Sequence, residues 1–218
     1  FYRRLAFDEI FSTFLVKSEI RKKIKKVKKS KKKIDEKKQN KILKNLDFLL
    51  TNDQQNSLKE INKDLCSETK MFRLLQGDVG SGKTIVSLLS AFNTINSDFQ
   101  VAMMAPTEIL AKQHYELAKK ILPIDIKIEI ITGKTNYKNK KEILNKLLDK
   151  KIDLIIGTHA IFQKKIAFKK LGLIIIDEQH KFGVNQRKKL SDKGGVDCDI
   201  LLMTATPIPR TLTMTIYG

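Results

Sequence analysis

Two short segments of this chain carry residue types at spacings that can do chemistry. The first, Gly77-Asp78-Val79-Gly80-Ser81-Gly82-Lys83-Thr84, has the pattern G-x-x-x-x-G-K-[ST]. Glycines let backbone N–H groups close around phosphate oxygens, and a helix that starts behind the loop turns its positive end toward them. In such a loop Lys83 reaches the β- and γ-phosphates and the Thr84 hydroxyl binds Mg2+. The second segment is Asp177-Glu178-Gln179-His180. A carboxylate at the end of a strand neighbouring the phosphate loop holds the metal, which is the expected place of Asp177, through a metal-bound water. Glu178 beside it has the chemistry to orient and deprotonate an attacking water. Lys83, Asp177 and Glu178 are therefore the candidate catalytic set, with Thr84 and Asp177 at the metal.

These residues need elements to position them. From Leu49 onward, apolar runs of strand length occur at 71–76, 100–105, 126–131, 153–157, 172–176 and 200–204. Helical patterns lie between them at roughly 82–95, 107–121 and 138–150; in the first, Ile85, Leu88, Leu89, Phe92 and Ile95 make one apolar face. Strands alternating with helices predict an α/β fold with a doubly wound parallel sheet, and Leu173-Ile174-Ile175-Ile176, apolar without alternation, reads as a strand buried on both faces. Ligands of such sheets sit beyond the carboxyl ends of the strands, where the phosphate loop and Asp177 both fall. Residues 1–47 differ: Leu5, Ile10, Phe11, Phe14, Ile20, Ile24, Val27 and Ile34 recur at helical spacing with no Gly or Pro, so a helical lead-in is expected there.

The chain has 218 residues, 41% of them hydrophobic, enough for a sizeable core, and no apolar run of membrane-spanning length. It begins at Phe1 without an initiator Met, which predicts a piece of a longer chain. The two cysteines, Cys66 and Cys198, lack metal-ligand spacing and fit a reducing cytoplasm. Net charge is +19, and residues 17–44, with 15 basic and three acidic side chains, hold +12 of it. Only six of the 43 basic residues are Arg, so AT-rich coding accounts for the charge as readily as phosphate binding does. The run 21–33 is accordingly either a DNA-contacting surface or a solvated helix face.

Taken together, the motifs resemble those of superfamily-2 helicases. Asp177-Glu178-Gln179-His180 looks like their D-E-x-H box, Thr204-Ala205-Thr206 like their third motif, and Ala105-Pro106-Thr107-Glu108-Ile109-Leu110-Ala111 like motif Ia. Gly157-Thr158-His159 resembles the element that touches the nucleic-acid backbone, and Phe48 with Leu50 to Gln54 the Q motif. The longer stretches 71–84, 157–163 and 177–187 look like the RecG-type DNA helicases. The ending 203–212 is shared with the transcription-repair coupling translocases, but those typically carry D-E-E-H and a Phe at the position of Ser81. The resemblance implies a RecA-like ATP-binding domain over 48–218, with the wedge domain before it, and the second motor domain after it, lying outside the chain. It also implies ATP and Mg2+ as cofactors and branched DNA as partner, in DNA repair and recombination.

By the same resemblance, Phe48 and Gln54 read the adenine, His180, Thr204, Ala205 and Thr206 couple hydrolysis to domain movement, and Pro106, Thr107, Gly157, Thr158 and His159 touch the DNA backbone. Plainer roles compete at several of these positions. Thr107 is also a natural helix N-cap and Pro106 a strand stop, and His159 is equally a loop histidine satisfying backbone groups. His114, in a helix with Ala111 and Leu117, reads as packing, as does Tyr115. Two functional classes follow: a DNA-translocating ATPase, or a nucleotide-binding module without turnover of its own. An arginine finger contributes about 10³–10⁵ in rate, so the chain by itself is expected to hydrolyse ATP slowly at most.

Overall fold

The computed structural model describes residues 28–163, 166–177 and 195–205. Six strands, β1 (Phe72–Gln76), β2 (Gln100–Met104), β3 (Ile128–Ile131), β4 (Leu154–Gly157), β5 (Leu171–Ile176) and β6 (Asp199–Thr204), form one sheet. Their order is β1-β6-β5-β2-β4-β3 and every pairing is parallel. The helices among the described residues are α1 (Glu36–Lys44), α2 (Asn52–Leu65), α3 (Lys83–Asn96), α4 (Glu108–Ile121) and α5 (Tyr137–Leu148). Each of the six apolar runs is a strand and each of the three helical patterns a helix, with ends moved by no more than two residues. α2 was not anticipated, although Thr51 and Gln54 form a reciprocal capping box at its start and Leu58, Ile61 and Leu65 repeat at its buried face.

Alternate residues of each central strand face opposite ways, and both sides are covered. Val101, Met103, Leu173, Ile175, Leu201 and Met203 pack with residues of α1 to α4. Ala102, Met104, Ile174, Ile176, Ile200 and Leu202 pack on the other side with Ile143 and Leu147 of α5. This is why Leu173 to Ile176 shows no polar alternation. α3 is buried from Ile85 through Thr94. Its polar residues survive there because Ser87, Ser90 and Thr94 each donate a hydroxyl hydrogen bond to a carbonyl three or four residues back. Among the described residues no helix is long and apolar enough to cross a membrane.

The described end of the Lys-rich run corrects the sequence reading. Residues 28–33 are not helical; Lys28 bridges Thr69 in antiparallel fashion, and the backbone N–H groups of Lys29 and Lys32 donate to Glu68 O (2.8 Å) and Leu65 O (3.1 Å). Lys29 and Lys32 are neither solvated nor available to DNA: their side chains are fully buried on Asp199, at the amino end of β6. Lys29 Nζ donates to Asp199 Oδ1 (2.7 Å) and Oδ2 (2.6 Å), and Lys32 Nζ donates to Oδ2 (2.6 Å). The two ammonium groups also reach the carbonyls of Asp64 and Asp197. Ion pairing wins here because burying two cations is tolerable only when carboxylate and carbonyl oxygens replace water. Burial nevertheless holds the Lys29 ammonium below the usual lysine range, against the attraction of Asp199. Beyond this cluster, Gln39 of α1 accepts from both Asn62 of α2 (3.0 Å) and Asn93 of α3 (2.7 Å), and Ile42 enters the core. The lead-in from Lys28 onward thus packs on the sheet domain.

Of the two free thiols, Cys66 is exposed, whereas burial pushes the Cys198 thiol up to about 12.

Candidate nucleotide and nucleic-acid site

The carboxyl ends of the strands form one edge, and the sheet order divides it in two. On one side stand the ends of β1, β6 and β5. Gln76 is in register with Thr204, and Gly77 N donates to Thr204 O (3.3 Å). The expectation that Asp177 ends a strand next to the phosphate-loop strand is therefore not met, because β6 pairs in parallel with both β1 and β5 and lies between them. With strands about 4.8 Å apart, the loop start and the Asp177 strand are separated by roughly 10 Å. Thr204 and Ala205 stand in that gap, at the end of β6.

The phosphate loop owes its shape to two glycines. Gly80 and Gly82 both have φ +80°, a conformation that side-chain-bearing residues rarely adopt. Gly82 caps α3 without a side chain, so the first N–H groups of that helix open toward the loop. Asp78, Val79 and Ser81 are exposed, while Lys83 and Thr84 are half-buried at the start of the helix. Lys83 Nζ donates to Gly77 O (2.6 Å) and Asp78 O (2.7 Å), which holds the ammonium over the loop. Gln54 meets this loop from α2: its Nε2 donates to Ser81 O (2.9 Å), while its Oε1 accepts from Thr51 N (3.0 Å). A Cβ added at Gly82 would come within 2.3 Å of Gln54 Nε2, so glycine there also makes room for the glutamine. Phe48, upstream, is 48% exposed.

Asp177 follows β5 and is anchored twice. Its backbone N donates to Met104 O (2.9 Å), and its Oδ2 lies 2.8 Å from Nε2 of His114. Both side chains are nearly buried. His114 reaches the carboxylate because α4 turns Ala111, His114 and Ala118 inward, and the alanines let the helix lie close to the sheet. Its place beside Ala111 and Leu117 makes His114 a packing residue by sequence; it is buried, and it is also bonded to the candidate metal carboxylate. No spacing rule links positions 63 residues apart, so only the fold reveals the pair.

The other half of the edge is formed by β2, β4 and β3. Ala105 N donates to Gly157 O (2.9 Å), which sets Pro106–Thr107 beside Thr158–His159. Thr107 is the N-cap of α4, its Oγ1 accepting from Leu110 N (3.2 Å), and it is exposed, as is His159 at the start of a 3-10 turn, His159–Phe162. Gly157 has no freedom to be anything larger, since a Cβ there would sit 1.9 Å from Ile131 O. Candidate nucleotide residues and candidate DNA residues thus occupy adjacent halves of one edge, meeting where Asp177 bonds to Met104. Glu178, His180 and Thr206 lie outside the described residues.

Residues 51–215 match the DEAD/DEAH box helicase family, and the chain belongs to that family. Within it the chain is similar to the RecG proteins: it is 45% identical over 220 residues to the ATP-dependent DNA helicase RecG of Aquifex aeolicus, covering 100% of this chain and 28% of that protein. It is 51% identical over 180 residues to the RecG of Borreliella burgdorferi, covering 82% of this chain and 26% of that protein. A structure of RecG bound to a three-way DNA junction superposes with a TM-score of 0.86 at 42% identity, covering 99% of this chain and 29% of that one. The chain therefore spans a little over a quarter of the length of these relatives, and it corresponds to their first motor domain.

Proposed function

We propose that the chain supplies the ATP-binding half of a DNA motor of the RecG type, which uses ATP to move on duplex DNA and to remodel forks and junctions during repair and recombination. Residues 48–218 are the ATP-binding domain in this reading, and 1–47 the lead-in from a wedge domain; a second motor domain completes the nucleotide site. The observation that carries the proposal is the arrangement of the sheet edge, with the phosphate loop after β1, Asp177 after β5 and Thr204 on the strand between them. The RecG relatives, one of them solved on a three-way DNA junction, supply the substrate class.

The residues present fit Mg·ATP. Gly80 has open space where a Cβ would stand, and the exposed loop presents backbone N–H groups backed by a helix start. Thr84 and Asp177 offer one hydroxyl and one carboxylate, a sparse set that suits Mg2+, which keeps several waters and takes substrate phosphate oxygens. When bound, Mg2+ neutralises charge on the β- and γ-phosphates. Gly77 to Thr84 wrap the triphosphate and Lys83 pairs with it, while Gln54 and Phe48 hold the adenine. Glu178 takes a proton from the attacking water. Thr204, Ala205, Thr206 and His180 relay the state of the nucleotide to the partner domain. Pro106, Thr107 and Gly157 to His159 hold backbone phosphates without reading bases, as movement along any sequence requires. The free thiols Cys66 and Cys198 suit a cytoplasmic enzyme.

A strand-labelled replication fork tests the proposal. The complete gene product is expected to convert it to a regressed junction only with ATP and Mg2+ present. Tight binding of the fork with no conversion in ATP would contradict it.

A further inference from the structure

The pairing of His114 with Asp177 has a consequence for the metal site that rests on the proposed role of Asp177. We propose that His114 is a positioning residue, which fixes the Asp177 carboxylate for Mg2+ bound with the nucleotide. Three observations carry this. His114 Nε2 lies 2.8 Å from Asp177 Oδ2, a hydrogen bond of good length. The contact is almost dry, with side-chain exposures of 8% for His114 and 12% for Asp177, so water competes little for the carboxylate. The histidine itself is held by a rigid support, the inward face of α4, between Ala111 and Ala118, and the helix is capped by Thr107 seven residues earlier.

An ionised carboxylate only accepts hydrogen bonds, so the Nε2 proton is directed at Oδ2. That takes up one oxygen and leaves the other for a metal-bound water. With its backbone N held by Met104 O and its Oδ2 by His114, the carboxylate is constrained at both ends of the residue. Orientation of this kind by an outer partner is worth about 10–100-fold in metal affinity where it has been removed from metal sites. The carboxylate in turn gives the buried His114 ring a partner, so α4 carries a polar side chain on its inward face.

The test is binding of a fluorescent N-methylanthraniloyl ATP to the protein, in EDTA and across a Mg2+ titration. His114→Leu keeps the bulk and removes the donor, whereas His114→Gln keeps an N–H that can meet Oδ2. His114→Leu is expected to raise the Mg2+ midpoint about 10–100-fold, leaving nucleotide affinity in EDTA within about twofold, and His114→Gln is expected to recover most of the shift. Should His114→Leu fail to fold, His114→Met, flexible and equally without a donor, is read in its place. Asp177→Asn is the reference. A wild-type midpoint for His114→Leu, with Asp177→Asn shifted, would overturn the role of His114 and leave that of Asp177 intact. An unshifted Asp177→Asn would remove Asp177 from the metal site, and the role of His114 with it.

Discussion

Asp199→Asn is expected to cost about 3–5 kcal/mol of stability, because it leaves two buried ammonium groups without a counter-ion. Asparagine keeps an oxygen for Met71 N, which donates to Asp199 Oδ1 (2.6 Å), so the substitution isolates the charge. Lys29 and Lys32 would then be fully buried cations left with neutral partners, the carbonyls of Asp64 and Asp197, the amide oxygen at 199 and, for Lys32, the Phe99 ring at 4.9 Å. Domains of this kind are stable by about 5–15 kcal/mol, so the loss is a large share of the total. Urea denaturation reads it directly: with slopes of about 1–3 kcal/mol per molar, the midpoint falls by roughly 1 M or more. Removing all three charges together, Lys29→Met with Lys32→Met and Asp199→Asn, should recover most of the stability, since a buried ion group is often replaceable by apolar side chains of similar size. A midpoint unchanged in Asp199→Asn would mean that water reaches the lysines. The cluster matters for the site because β6 starts at Asp199 and ends at Thr204. One strand is thus gripped by the lead-in at its first residue and borders the phosphate loop at its last.

Lys83→Ala is expected to lower ATP turnover by about 10²–10³-fold or more, the usual loss when a preorganised donor to developing charge is removed. Its fold should be little affected. Lys83 is half-buried and its ammonium touches only two loop carbonyls, Gly77 O and Asp78 O. Lys83→Arg is not expected to restore activity, because a planar guanidinium cannot take the place of a compact ammonium in so tight a loop. The pair of measurements is turnover under saturating Mg·ATP and the urea midpoint. Wild-type turnover in a folded Lys83→Ala would remove the loop from the catalytic site.

What the sequence made legible follows from the range over which each signal acts. The loop 77–84 was legible as a candidate phosphate loop because its glycines, lysine and threonine are contiguous, and Gly80 and Gly82 have the left-handed backbone that glycine favours. The strands were readable because both faces of the sheet are covered, which strips polar residues from 173–176 and 200–203. Helix α2 was readable in principle from Thr51 and Gln54, whose capping box is a local signal. Three features were not. Nothing in the pattern of strands tells that β6 inserts between β1 and β5, since strand order is a long-range property. The contact between His114 and Asp177 depends on that order. The burial of Lys29 and Lys32 runs against the usual place of lysine at the surface, and it rests on Asp199, some 170 residues away, with the carbonyls of Asp64 and Asp197 beside it.

The proposed motor hydrolyses ATP in answer to DNA. ATP turnover by the complete gene product, wild type and Glu178→Gln, measured with and without forked DNA, tests it most directly. Strong stimulation of the wild type by the fork is expected, with its loss in Glu178→Gln and nucleotide binding retained. A wild-type rate indifferent to every DNA added would contradict the motor reading and leave a nucleotide-binding fold alone.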